Sequence, residues 1–222
     1  MPIPDGKAPF SIKSTKEKVY QVLREWIIQG VLKPKEQIYD SKLADYFQTS
    51  RTPIREAILL LESEGLVVIN PGKSTVVSEL DINKIKEWYL PLASLQGLAV
   101  EIACDIATKE QIYELRKCNK KFIQAVETDN VMAIINRDFD FHMMIAKITG
   151  NRYIISFCNI LLGHIARIEF TYFSTPNIAE QSIRGHIEII DLIEKRDKIA
   201  GEKQKESWLR TMYNCENKLY YK

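Results

Sequence analysis

LADYFQTSRTPIREAILLLESEGLV, residues 43–67, holds two helices and the tight break between them. The first, Ser41 to Phe47, has Asp40 or Ser41 as its cap and turns Leu43, Tyr46 and Phe47 inward. Gln48-Thr49-Ser50 interrupts it, and a second helix runs to about Glu64. Pro53 fits the first turn of that helix, where a missing N–H is harmless, and Gly65 marks its end. Ile54, Ala57, Ile58 and Leu61 form its apolar stripe, while Arg51 and Arg55, four residues apart, share the opposite side with Thr52 beside them. One face packs and the other is offered to a partner.

Upstream, Val19, Val22, Leu23, Trp26 and Ile27 recur at the period of a one-sided helix that Ser14 or Thr15 can cap and Gly30 can end. Downstream the period changes to that of strands: Leu66–Ile69 and Ser74–Val77 flank the turn residues Asn70-Pro71-Gly72-Lys73. Three helices followed by a hairpin predict a winged helix-turn-helix over residues 1–79. From residue 80 to 222 only helical patterns follow, over about 81–104, 108–127, 130–149, 152–173, 178–195 and 198–219. Asp81 and Thr108 are read as N-caps, the latter with Gln111 three residues on. Breaks this short predict antiparallel neighbours, so the second domain is an all-α antiparallel helical bundle.

Composition narrows the classes. The 222 residues are 45% hydrophobic and 27% charged, ordinary for a globular chain, and no run reaches the roughly 18 consecutive apolar residues of a membrane span. The first ten residues lack a basic segment followed by an apolar one, so the reading is a cytoplasmic protein without a secretory signal and with no membrane partner. Cys104, Cys118, Cys158 and Cys215 are widely spaced among apolar neighbours, which predicts reduced core thiols. Net charge is only +2, and the first 80 residues, with eight Lys and three Arg against three Asp and seven Glu, stand at +1. A nucleic-acid surface must then come from local arrangement.

Arg51 and Arg55 supply one. A guanidinium fork grips a guanine edge or a phosphate, Ser50 and Thr52 add hydroxyls, and the helix start presents free N–H groups to an anion. Gly72 at the hairpin tip permits close backbone approach and Lys73 brings charge to it. The plainer alternative is a pair of solvated arginines neutralised by Glu56 or Glu62. Against it, Leu43-Ala44, Ser50 to Ala57, Leu61 and Glu64 to Val67 resemble the DNA-binding signature of the GntR family of bacterial transcription regulators. That resemblance implies DNA contacts from Ser50, Arg51, Thr52, Arg55 and Gly72, with the wing beside a helix in the major groove. Two positions depart from the family pattern: Lys35 replaces the usual Gly after Pro34, a change read as harmless, and Ser74 stands where the wing often has Gly.

In the second half Asp138 and His142 are also four apart, a workable spacing for a divalent metal. His186 lies on an apolar stripe with Ile189, Ile190 and Ile193, and His164, with Leu161 and Ile168, is read as facing the bundle interior too. The plainer alternative pairs Asp138 with Arg137 and leaves each histidine a satisfied core residue. DFDFHMMIAKITGN from Asp138 and SIRGHIEIIDLIEKRD from Ser182 resemble the FCD effector domain of FadR-like GntR regulators. The resemblance implies that Asp138, His142 and His186 hold a divalent metal, Zn or Ni, beside a small carboxylate effector. The usual fourth ligand position falls on Trp208, Pro91 stands where Arg is common, and Gln96 stands where Glu is common. Three functions follow. The leading one is a homodimer on a palindromic double-stranded operator, governed by a small-molecule effector. The others are an effector-blind repressor with Trp208 plugging the pocket, and a metal-dependent enzyme on the same three residues.

Overall fold

A computed structural model describes residues 14–70, 72, 74–128, 130–173 and 178–220. The chain is mostly helical with one small sheet. The head comprises α1 (Thr15–Ile28), β1 (Gln37–Ile38), α2 (Asp40–Tyr46), α3 (Arg51–Ser63), β2 (Val67–Asn70) and β3 (Ser74–Val77). The sheet order is β1-β3-β2, antiparallel throughout, with Asn70 opposite Ser74 at the turn. The two-residue β1 was missed from sequence because Gln37-Ile38 is too short to show alternation.

Ser14 caps α1 in a full capping box with Glu17. Val19, Leu23 and Ile27 of α1 bury against Ile54, Ala57, Ile58 and Leu61 of α3, with Leu66, Val67 and Val77 closing the head core. Lys35 is not harmless in place of the family's Gly: its φ is +67°, the left-handed region that glycine occupies freely and a lysine occupies at a cost of about 1–2 kcal/mol.

A 3₁₀ turn at Ile82–Lys84 leads into α4 (Ile85–Ile106), then α5 (Lys109–Glu127), α6 (Val131–Ile148), α7 (Arg152–Phe173), α8 (Ile178–Glu194) and α9 (Ile199–Tyr220). Asp81 caps that turn through Asn83 rather than capping α4, while Thr108 forms the expected box with Gln111. Helix α4 is the axis, packed on α6, α7, α8 and α9, and it carries the fully buried Tyr89, Leu92, Val100 and Cys104. α4 and most of α7 are long and apolar enough to cross a bilayer by length and composition, yet half of each is buried within the bundle. All four cysteines are buried, and none forms a disulfide among the described residues.

Head and bundle have largely separate apolar clusters, joined by Ile28 of α1, which buries in the bundle's cluster, and by polar and aromatic groups that clamp the two together. Arg167 on α7 donates to the carbonyls of Ser78 (2.8 Å) and Glu79 (3.2 Å) and to the Ser78 hydroxyl (3.1 Å). That hydroxyl donates onward to the carbonyl of Gly65 at 2.6 Å. Here one expectation needs correction: His164 does not face the bundle interior. It is half-buried at the head, stacked parallel on Trp88 with ring centroids 5.5 Å apart and pressed against Gly65.

Candidate nucleic-acid interface and metal centre

The exposed side of α3 follows from its burial. With Ile54, Ala57, Ile58 and Leu61 turned into the core, Arg51, Thr52 and Arg55 must point outward, and all three are exposed. Ser50 precedes the helix in extended conformation and its hydroxyl makes no capping bond, so the first-turn N–H groups keep their capacity for an anion. Gly72 at the wing tip is exposed with φ +72°. An open groove of about 530 Å³ separates α3 from the wing and is lined by Tyr39, Asp40, Arg55, Asn70, Gly72 and Thr75. Lys73 lies outside the described residues. Arg55 does not pair with Glu56 or Glu62: its Nε donates to Asp40 Oδ2 at 2.7 Å, a partner that lies fifteen residues away and that no spacing rule pointed to.

In the bundle, Asp138, His142 and His186 come together with ligand atoms all within 4.8 Å of one another, each residue buried. Asp138 does not pair with Arg137, which instead binds Asp140 at 2.8 Å. Its Oδ2 lies 3.5 Å from His142 Nε2 and its Oδ1 lies 3.3 Å from His186 Nε2. His186 Nδ1 sits 3.0 Å from Asn119 Oδ1, an oxygen that can only accept, so Nδ1 carries the proton. The Nε2 lone pair then faces a carboxylate oxygen, an arrangement of two acceptors that a cation between them would relieve. The side-chain amide of Gln204 holds His142 Nδ1 at 3.3 Å. As placed, that amide donates to Nδ1, so the neutral ring carries its proton on Nε2, toward Asp138, and ligation through Nε2 takes the other tautomer. Burial pushes the His142 pKa down to about 4, keeping the ring neutral as a ligand must be. The donor set therefore fits a divalent metal.

Beside it lies a cavity of about 100 Å³ bordered by Glu169, Gln204 and Trp208. Burial, reinforced by the charge of Asp138, pushes Glu169 up to about 8, so at neutral pH it is mostly the neutral acid; the Tyr89 hydroxyl donates to it. Trp208 is buried against His142, ring centroids 4.6 Å apart, and its indole N–H has no hydrogen-bond partner among the described residues. The indole does not fill the space completely. Asn119 and Gln204 gave no sequence signal, but Glu169 did: it is a lone carboxylate in the apolar run from Ile165 to Phe173.

A helix-turn-helix with a wing, joined to a helical bundle holding a polar cavity, defines a DNA-binding transcription regulator. Comparison with known proteins agrees. Residues 15–77 match the pattern "Bacterial regulatory proteins, gntR family" and residues 91–206 match the FCD domain. The chain is 30% identical over 187 residues to the HTH-type transcriptional regulator YdhC of Bacillus subtilis, covering 82% of each protein. It is 22% identical to the transcriptional repressor RspR of Escherichia coli, over 84% of this chain and 82% of that one. Among solved structures, Escherichia coli McbR/YncC shares the fold at a TM-score of 0.75 and 23% identity, covering 95% of this chain and 99% of that one. The chain belongs to the GntR family of bacterial transcription regulators and carries an FCD domain. It is a regulator and not an enzyme, so the reading as a metal-dependent enzyme is set aside.

Proposed function

We propose that two copies of the chain bind a palindromic operator in the cytoplasm, with residues 1–79 as the DNA-binding head and 80–222 as the dimerising, effector-binding domain. Ser50, Arg51, Thr52, Arg55, Gly72 and Lys73 make the DNA contacts. The observation that carries this reading is the exposed basic edge on α3 beside the wing groove. Exposed Leu90 and Leu98 on α4 and Tyr153 and Phe157 on α7 support a helical-domain dimer, since two packed helices both leave large apolar groups uncovered.

Asp138, His142 and His186 hold one divalent metal, Zn or Ni, which supplies positive charge for a small carboxylate effector. The neutral acid of Glu169 and the unpartnered indole N–H of Trp208 supply donors for the same ligand, where Pro91 leaves no arginine to do so. Helix α7 carries Glu169 at the cavity and, two residues earlier, Arg167 on the head, so a ligand that shifts α7 alters the set of the heads. Such a ligand acts by its differential affinity for the two arrangements. The second reading, an effector-blind repressor, draws on Trp208 occupying the fourth ligand position.

The test has two arms. Arg55→Ala should leave folding intact and weaken binding to a duplex selected by the wild-type protein by about 1–3 kcal/mol in an anisotropy titration. A panel of small carboxylates, screened with Zn²⁺ present, should include members that shift both the thermal midpoint and that duplex affinity. A panel that moves neither selects the effector-blind reading.

A further inference from the structure

Arg55 is not a free cation. Asp40, the first residue of α2, accepts from its Nε at 2.7 Å, and that hydrogen bond, with the charge of Arg51 adding to it, holds the Asp40 carboxyl below the usual range. The pair is open to solvent, with the arginine side chain 65% exposed and the aspartate 28%, so it contributes little to folding. A carboxylate on a surface that approaches phosphates also repels them. Its geometry, however, is selective. A guanidinium has a side fork, made by Nε with one terminal nitrogen, and an end fork, made by the two terminal nitrogens. Asp40 occupies Nε, the exposed Arg55 side chain makes no other ion pair among the described residues, and both residues line the groove beside the wing, so the end fork is the part of the guanidinium left for a partner there. That end fork matches the O6 and N7 acceptors of guanine.

We propose that Asp40 is a positioning residue for base recognition: it aims the end fork of Arg55 at a guanine edge and denies phosphates the side fork. The proposal rests on the reading of Arg55 as a base contact. Holding the side chain in advance spares the rotamer entropy that a free arginine loses on binding. The adjacent negative charge weakens purely electrostatic binding to every sequence alike. Asp40 thus trades general DNA affinity for discrimination, and its removal should move the two in opposite directions.

The experiment uses the full chain as wild type, Asp40→Asn, Asp40→Glu and Arg55→Ala. Each is put through selection from a random double-stranded pool, then titrated at fixed salt with the wild type's most enriched duplex and a shuffled duplex of the same composition. Wild type should enrich a fixed guanine in each half-site, and Arg55→Ala should lose it. Asp40→Asn should lose it too, with the ratio of shuffled to selected Kd falling about tenfold and the shuffled duplex bound as tightly or more tightly. Asp40→Glu, which can still reach Nε, should keep most of the ratio. Thermal midpoints confirm that the variants fold. If Arg55→Ala retains the guanine, or wild type enriches none, Arg55 reads no base and the role of Asp40 falls with it. If Arg55→Ala loses the guanine while Asp40→Asn keeps the wild-type ratio, or weakens both duplexes equally, the positioning role alone is overturned.

Discussion

Replacing Gly65 with alanine tests how the head is held to the bundle. Two costs arise at this position. Its φ of +67° is left-handed, which charges an alanine about 1–2 kcal/mol. In addition, a Cβ built there lies 2.2 Å from His164 Cε1 and 2.7 Å from Nδ1, so the imidazole must retreat by roughly an ångström from ordinary contact. That retreat disturbs a parallel stack on Trp88 and adds about 1–2 kcal/mol, within the usual range for overpacking. Gly65→Ala should therefore lose about 2–4 kcal/mol in urea unfolding followed by circular dichroism and by tryptophan fluorescence. In a His164→Ala background the clash is gone and only the backbone cost of about 1–2 kcal/mol remains. The double-mutant cycle should show a coupling of about 1–2 kcal/mol. Additivity within about 0.5 kcal/mol would mean that ring and glycine do not meet, and the head–bundle contact described here would be wrong.

Zn²⁺ should raise the thermal midpoint of the wild-type protein, and His142→Ala should abolish the shift. Trp208→His, which puts an imidazole at the usual fourth ligand position, should tighten Zn²⁺ at least about tenfold in competition with a chelating dye; unchanged affinity in both variants rules out the site. In metal-free buffer the cavity should give stability two opposed pH limbs. His142 is held near 4 against an ordinary 6.5, so the unfolded chain takes its proton first and stability falls by up to about 3 kcal/mol as pH drops from about 6.5 to 4. Glu169 is raised to about 8 from 4.5, so the folded chain keeps a proton that the unfolded chain releases, and stability falls as pH rises from about 4.5 to 8. Glu169→Gln should flatten the alkaline limb and leave the acid limb standing; urea midpoints between pH 4 and 9 decide it. Lys35→Gly should stabilise the head by about 0.5–1 kcal/mol by relieving a left-handed lysine, and a loss of stability instead would show that the exposed Lys35–Glu79 pair outweighs the strain.

Local chemistry explains which features could be read without coordinates. Ser14 and Thr108 announce helix starts through side chains three residues from their partners, and Gly65 and Gly72 mark reversals that need a positive φ. Arg51 and Arg55 share a face because the helical period puts them there, whatever surrounds the helix. The same period set Asp138 beside His142, and the apolar stripe turned His186 inward.

What the linear chain determined by itself is thus the order of elements, their faces and the family, all consequences of interactions within a few residues. Only the tertiary structure decided which faces meet: that Asp40 holds Arg55 and not Glu56 or Glu62, that Asn119 and Gln204 orient the two histidines, and that His164 belongs to the head contact. These pairs lie 15, 67 and 62 residues apart, and His164 meets a glycine 99 positions before it. No period links such positions, because they are brought together by the burial of apolar surface elsewhere, which is non-directional and leaves no local mark on the polar groups it carries along.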